Sequence, residues 1–278
     1  MYIRLLIGAG LAMLVCCVAA RADFHADVQY AQVDGQRLKL DVSAPEGTGP
    51  FPVAILVHGG GWGSGDKAKV HVPPTAALAK AGFTWFSIDY RLAPDHHWPA
   101  CIDDVRAAIR WVKAHAAEYQ GDPSRIALIG YSAGGQLVAF AAVTADDQTR
   151  VQAVVGLAAP TDLVADCERR GQVSPALQNL LDRGPGLDDD ARAILSELSP
   201  INHLHPGLPP FLLIHGTADQ SVPYEQSVDF KSRLEALGVP CELETIDGAP
   251  HNIRDWPARA PDYEEQMTQW LRQTLGNE

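Results

Sequence analysis

Positive charge is scarce in this sequence. The chain has 278 residues, with 22 lysines and arginines against 34 aspartates and glutamates, and a formal net charge of −12. A protein that binds nucleic acid needs a basic face for the phosphate backbone, and a polybasic membrane anchor needs clustered lysines and arginines. The composition therefore argues against both classes. We expect no nucleic-acid partner.

Cysteine is rare as well, with five in the whole chain. Cys101, Cys167 and Cys241 are far apart and show none of the spacings of a metal site, so we expect no metal. Three cysteines cannot all pair within one chain. Free cysteines are most commonly buried, as small apolar side chains. Whether any of these three forms a disulfide stays open.

The N-terminal segment, residues 1–22, has the features of a secretory signal peptide. Arg4 precedes an apolar run over residues 5–20, and Ala20-Arg21-Ala22 forms an A-x-A cleavage pattern. The run is shorter than the about 20 residues of a membrane span, so we expect cleavage rather than stable membrane insertion. A retained membrane anchor and a lipoprotein anchored through Cys16 or Cys17 are the alternatives. The prediction is a periplasmic or secreted protein whose mature chain is residues 23–278.

Strands and helices are predicted to alternate over that mature chain. The run over residues 51–57 has no polar face, which is typical of a strand buried on both sides. Apolar residues recur at helical spacing over 99–117, and Asp34-Gly35 marks a hairpin turn. The predicted strands are 28–30, 38–42, 51–57, 83–88, 125–129, 151–157, 211–214 and 241–246. The predicted helices are 72–81, 99–117, 133–144, 224–237 and 261–275.

This alternation predicts a single α/β domain with a mostly parallel sheet, an N-terminal antiparallel hairpin and helices on both faces. Residues 161–208 interrupt it, with short helical segments near 175–182 and 190–197. A connection of that length predicts a small cap insertion over the carboxyl edge of the sheet. Its acidic triplet, residues 188–190, lacks the pattern of a calcium loop and is typical of a helix N-terminus.

The motif GYSAG, residues 130–134, lies between a predicted strand and a predicted helix. A nucleophilic serine needs such a sharp turn, and glycines two residues before and after it relieve crowding. Ser132 is therefore the candidate nucleophile. The backbone amide of Ala133, at the start of the helix, is a candidate donor to a developing oxyanion.

The motif HGGGW, residues 58–62, follows another predicted strand. Consecutive glycines let backbone amides approach a ligand closely, so Gly60 and Gly61 are the other candidate oxyanion-hole residues. His58 is expected to brace this loop. Trp62 and Tyr131, beside the two motifs, are the candidate substrate-binding residues.

Candidate partners for the serine come later in the chain. Asp219 and His251 each follow a predicted strand, and the order Ser132, Asp219, His251 is a known order of a Ser-Asp-His triad. Asp162 also follows a strand and is the alternative acid. His215, which ends a strand as His58 does, is expected to brace its loop.

Several motifs together resemble the α/β-hydrolase esterases. The closest likeness is to bacterial hormone-sensitive-lipase-like carboxylesterases and to the feruloyl/acetyl-xylan esterase-like group. The resemblance covers nearly all of the mature chain, and its motifs are HGGGW (58–62), DYRLAP (89–94), PACIDDVR (99–106) with Trp111, GYSAGG (130–135) and HGTAD (215–219). The N-terminal hairpin stands where hormone-sensitive-lipase relatives usually carry a longer helical cap, which suggests a more open pocket.

The resemblance implies a cofactor-free serine esterase. We predict an exported carboxylesterase that forms an acyl-enzyme on Ser132 and hydrolyses short-chain acyl or aryl-acyl esters, with small molecules and polysaccharides as candidate ester substrates. An arylformamidase-like amide hydrolase and a serine peptidase are alternatives with the same residues. A catalytically inactive binding module on the hydrolase fold is the alternative of another class. The oligomeric state stays open.

Overall fold

The structure is a computed structural model that describes residues 23–68 and 74–276. The predicted signal peptide, with Cys16 and Cys17, lies outside the described residues. So does the beginning of the predicted helix over 72–81.

A mostly parallel β-sheet forms the centre of the molecule. In the described residues its eight strands follow the spatial order β1-β2-β4-β3-β5-β6-β7-β8. The strands β1 and β2 pair antiparallel, β2 pairs antiparallel with β4, and the remaining neighbours are parallel. Their bounds are β1 (Asp23–Val33), β2 (Gln36–Ala44), β3 (Phe51–Val57), β4 (Thr84–Ile88), β5 (Gly121–Tyr131), β6 (Ala153–Leu157), β7 (Phe211–Gly216) and β8 (Cys241–Ile246).

Helices connect and cover these strands. The α-helices are α1 (Thr75–Lys80), α2 (Ala100–His115), α3 (Ala133–Val143), α4 (Leu163–Arg170), α5 (Pro175–Leu181), α6 (Asp189–Leu198), α7 (Glu225–Ala236) and α8 (Tyr263–Leu275). Short 3₁₀ helices span Ala116–Tyr119, Pro200–His203 and Ile253–Ala258.

The sheet is buried on both faces. Along β3, Val53, Ile55 and Val57 pack into one apolar cluster, and Ala54 and Leu56 pack into a second cluster on the opposite face. All five are fully buried, as successive side chains of a strand covered on both sides must be. The predicted α/β fold, with its mostly parallel sheet and N-terminal antiparallel hairpin, is confirmed.

Residues 161–208 contain three α-helices where the sequence predicted two short helical segments. The segments near 175–182 and 190–197 correspond to α5 and α6, and α4 was not predicted. Asp162 begins α4 by accepting a hydrogen bond from the amide of Ala165 at 3.0 Å. Asp188 begins α6 in the same way, accepting from the amide of Ala191 at 2.7 Å. The acidic triplet is thus the start of a helix.

Within residues 23–68 and 74–276, no helix is long and apolar enough to cross a membrane. The same residues hold no group of three or more histidine, cysteine, aspartate and glutamate side chains placed to bind a metal ion. Cys101, Cys167 and Cys241 are all free and buried.

Candidate active site

Ser132 lies in a sharp turn between β5 and α3. Its backbone has φ 53° and ψ −119°, a conformation that residues other than glycine rarely adopt. Its amide donates to the carbonyl of Leu157 at 2.8 Å. The turn needs its glycines. A Cβ at Gly130 would meet the carbonyl oxygen of Gly134, and a Cβ at Gly134 would meet the carbonyls of Val57 and His58. The serine hydroxyl is thus presented at the carboxyl edge of the sheet.

Three side chains form a hydrogen-bonded series at this edge. The Nε2 of His251 lies 2.9 Å from the Oγ of Ser132, and its Nδ1 lies 2.6 Å from the Oδ2 of Asp219. Because the carboxylate accepts, Nδ1 carries the imidazole proton. The Nε2 of a neutral His251 therefore accepts from the serine hydroxyl. This is the arrangement in which a histidine can remove the proton of an attacking serine.

The carboxylate of Asp219 is held ionised by its surroundings. Burial would raise its pKa, but hydrogen bonds from His215 and His251 outweigh that effect and lower the pKa well below the usual value. On the other side of the carboxylate, Oδ1 accepts from the amides of Ser221 at 2.8 Å and Val222 at 2.9 Å. A charge fixed in this way can stabilise the imidazolium of His251.

The alternative acid and the two histidines that were expected to brace their loops lie as follows. Asp162 caps α4, and it is Asp219 that the structure places against His251. His215 is fully buried with Nε2 3.2 Å from the Oδ2 of Asp219, so it contacts the triad acid itself. His58 is buried, stacks on the ring of Tyr90 at 4.3 Å and lies 2.8 Å from the carbonyl of Gly59 through Nδ1, which suits a residue that braces the loop.

The glycine loop after β3 lies directly against the serine turn. A Cβ at Gly59 would lie 3.2 Å from the Cβ of Ser132. Gly60 and Gly61 have φ values of 116° and 59°, and the Gly60 carbonyl accepts from the amides of Gly63 at 3.2 Å and Ser64 at 3.1 Å. Among the described residues, no backbone carbonyl accepts a hydrogen bond from the amides of Gly60, Gly61 and Ala133. They are therefore free to donate to an oxyanion.

The two candidate substrate-binding residues have different surroundings. Trp62 lines the cleft at Ser132, and its indole donates to the Oε1 of Gln136 at 3.0 Å, which fixes the ring. Tyr131 is 2% exposed and does not line that cleft. Its hydroxyl donates to the carbonyl of His251 at 2.7 Å and its ring stacks on the imidazole at 5.4 Å. The structure therefore places Tyr131 against His251 and outside the lining of this cleft.

The cleft at Ser132 has a volume of about 350 Å³ and is bounded by residues of α4 and α5. Its apolar lining comes from Trp62, Pro160, Leu163, Pro175, Ala176, Leu177 and Val222. Its polar lining includes an ion pair in which the Nε of Arg170 donates to the Oδ2 of Asp166 at 2.8 Å. The cleft thus combines an apolar wall with a charged one.

Asp166 and Arg170 were not among the predicted site residues. Arg170 also donates through Nη2 to the carbonyl of Ser221, at 2.5 Å, so α4 is joined to the loop that follows Asp219. The only signal in the sequence was the ERR run at residues 168–170, which has the i to i+4 spacing to Asp166 of a helical ion pair. Because no helix was predicted over the residues of α4, this spacing could not be interpreted as an ion pair.

Known proteins share this fold and its motifs. The family model BD-FAE matches residues 40–234. Esterase LipC of Mycobacterium tuberculosis is 39% identical over 207 residues, which cover 68% of this chain and 50% of that protein. The chain thus spans about half the length of the first curated relatives it matches.

Solved structures agree with the sequence relatives. A truncated form of a carbohydrate esterase from gut microbiota superposes with a TM-score of 0.80 at 28% identity, covering 94% of this chain and 99% of that one. The butyrate-bound esterase Est2 of Thermogutta terrifontis superposes with a TM-score of 0.70 at 28% identity, covering 92% of each chain. The chain therefore belongs to the BD-FAE family, among the α/β-hydrolase esterases.

Proposed function

We propose that this protein is an exported serine carboxylesterase that hydrolyses short-chain acyl or aryl-acyl esters, including esters carried on carbohydrate. The observation that carries the proposal is the series Ser132, His251 and Asp219, with its 2.9 Å and 2.6 Å contacts, beside a cleft. The esterase names of the relatives support the same reaction class.

The proposed reaction begins when Ser132 Oγ attacks the ester carbonyl and its proton passes to the Nε2 of His251. The negative charge that develops on the carbonyl oxygen is stabilised by the amides of Gly60, Gly61 and Ala133. The tetrahedral intermediate collapses, the carbon–oxygen bond to the alcohol breaks, and His251 gives its proton to the departing alkoxide. Water, deprotonated by the same nitrogen, then hydrolyses the acyl-enzyme and restores the serine.

The lining of the cleft supports a short acyl group and a polar alcohol. A long alkyl chain would have to lie against the Asp166–Arg170 pair. The chain would then displace water from these charges and offer no hydrogen bond in return, which costs free energy. A sugar hydroxyl can hydrogen-bond to the same pair. The butyrate in one structural relative and the carbohydrate-esterase name of another agree with the two parts of this substrate.

The test is turnover of p-nitrophenyl acetate and butyrate by the purified protein and by Ser132→Ala, followed by an ester panel of acetyl-xylan, methyl ferulate and tributyrin. We expect hydrolysis of the short esters, with none by the variant. N-formylkynurenine and a casein digest belong in the panel, because faster turnover of either would favour the amide hydrolase or the peptidase. A wild-type protein inactive on every substrate would favour a binding module.

Export is a separate part of the proposal, and the signal-peptide pattern of residues 1–22 supports it. Mass spectrometry of the N-terminus of the protein recovered from the periplasm or medium tests it. We expect a chain that begins at Asp23. A chain found in the cytoplasm with residues 1–22 attached would contradict export.

A further inference from the structure

A second histidine contacts the same carboxylate oxygen that supports His251. His215, at the end of β7, is fully buried, and its Nε2 lies 3.2 Å from the Oδ2 of Asp219 and 3.0 Å from the carbonyl oxygen of Val222. Both neighbours are acceptors, so Nε2 carries a proton. The other ring nitrogen, Nδ1, lies 2.7 Å from the Oγ of Ser227, whose hydroxyl is thus a donor to a neutral ring.

We propose that His215 is a positioning residue for the proposed esterase reaction: by donating to the Oδ2 of Asp219, it limits how strongly that carboxylate attracts a protonated His251. The inference rests on the proposed function, because it concerns the base of that reaction. It gives His215 a role in setting the working pH range, in place of the bracing role that its position in the sequence suggested.

The physical reason is that one oxygen serves two donors. A hydrogen bond to the charged form of a carboxylate stabilises that form and makes it a weaker acceptor for any other proton. The Nε2–H of His215 therefore reduces the attraction between Asp219 and a protonated His251. Without it, the full charge of Oδ2 would face His251 and would hold the protonated imidazolium more strongly.

The orientation of Asp219 has a second support besides this contact. Its Oδ1 accepts from the amides of Ser221 and Val222, and we expect both bonds to remain in a His215 variant. A variant at His215 thus alters the charge distribution on the carboxylate while the carboxylate stays in place. The effect should appear in the pH dependence more than in the maximal rate.

Other titratable groups lie near the two histidines. The ring centroid of Tyr224, beside α7, lies 5.8 Å from that of His215, and the ring of Tyr131 from β5 stacks on His251. The charges of Arg254 and Asp255, in the 3₁₀ helix after His251, act on Tyr131, and Asp166 of α4 lines the same cleft as His251. Burial raises the pKa of Tyr131 to about 12, so it stays uncharged in the range of interest. The permanent charge of Arg170, from α4, reaches the carbonyl of Ser221.

The test compares two variants in the full chain. His215→Met has a similar length and no donor, whereas His215→Gln retains an amide donor at the reach of Nε2. The measurement is kcat/KM for p-nitrophenyl acetate between about pH 5 and pH 9, whose acid limb reports the base of the free enzyme. We expect the pH at the midpoint of this acid limb to be higher by about half a pH unit or more in H215M than in the wild type. In H215Q the midpoint should be close to that of the wild type.

A merely structural role would lower the rate or the melting temperature of both variants and leave the midpoint unmoved, which would overturn the inference. If H215M does not fold, as judged by circular dichroism, Ser227→Ala replaces it. Losing the Ser227 hydroxyl lets the proton move to Nδ1 in part of the population, so the midpoint should rise by a smaller amount. An unchanged midpoint in S227A would then overturn the inference.

The outcome is distinguishable from failure of the proposed function. If the wild-type protein does not turn over the ester, the esterase proposal fails before any His215 variant is measured. If the wild type is active, S132A is inactive and the His215 variants keep the wild-type midpoint, only the role of His215 is wrong.

Discussion

The Nδ1 of His251 lies 2.6 Å from the Oδ2 of Asp219, although 32 positions separate the two residues in the chain. The aspartate side chain is fully shielded from solvent, whereas that of the histidine is 22% exposed. A buried, ionised carboxylate thus supports a base that solvent and substrate can reach. This contact identifies Asp219 as the acidic residue that supports the base in the proposed reaction.

Asp219 and Asp162 can be separated by matched substitutions. We expect Asp219→Asn to lower kcat by about 10⁴-fold, because the amide no longer fixes the tautomer of His251 or stabilises its imidazolium. Asp162→Asn should stay close to the wild type, because asparagine begins a helix as well as aspartate does. Steady-state rates on p-nitrophenyl acetate check both. Loss of turnover in D162N alone would show that the acid is misassigned.

The depressed pKa of Asp219 predicts a pH dependence of stability. A carboxyl group whose pKa is lower in the folded state stabilises fully above its unfolded value, about 3.9, and loses that contribution as the pH falls toward the folded value. The difference in the free energy of unfolding between wild type and Asp219→Asn should therefore shrink between about pH 5 and pH 3. Urea unfolding measures it, and a difference that grows on acidification would contradict the lowered pKa.

The close packing of the serine turn against β3 predicts that Gly134→Ala is damaging. The added methyl group would meet the carbonyls of Val57 and His58, and overpacking of this kind costs about 1–3 kcal/mol. Displacement of the glycine loop should also lower kcat/KM by about 10²-fold. Gly184→Ala is the control, because no atom lies within 4 Å of its added Cβ. Equal activity and melting temperature in the two variants would show that the turn tolerates the methyl group.

A buried ion pair joins the loop after β4 to α2. Arg91 donates to Asp104 through Nη2 at 2.7 Å, and the two side chains are 11% and 1% exposed. Asp104→Ala leaves the arginine charge without its partner, so we expect the free energy of unfolding to fall by about 3 kcal/mol. Asp147→Ala, which breaks the exposed pair with Arg150, should change it by less than about 0.5 kcal/mol. Chemical denaturation compares them, and similar losses in both would refute the distinction.

Much of the fold was predictable because its signals are local. The Asp34-Gly35 turn has φ values of 49° and 82°, the positive values that a tight hairpin requires. The run over residues 51–57 forms β3 with the predicted bounds. Ser132, His251 and Asp219 were placed by motif and order, since each follows a strand and parallel strands end at one edge.

The remaining features depend on contacts between distant segments. α4 was missed because its charged sequence, LVADCERR, gains its stability from the burial of Leu163 and Cys167 in an apolar cluster with other segments. Arg91 and Asp104 lie in two separate motifs of the sequence, DYRLAP and PACIDDVR, and only the packing of α2 against the loop pairs them. Tyr131 was predicted to bind substrate because of its place in the motif. In the structure its ring stacks on His251 and its hydroxyl donates to the His251 carbonyl.

The proposed reaction depends on Ser132 as an activated, covalently reacting nucleophile. Mass spectrometry of the protein after reaction with an organophosphate ester tests this, because such an ester phosphorylates an activated serine and leaves ordinary serines unmodified. We expect one adduct per chain, located by peptide mapping on Ser132, with loss of esterase activity in proportion and no adduct in S132A. An adduct on another residue, or an adduct of S132A, would refute this role of Ser132.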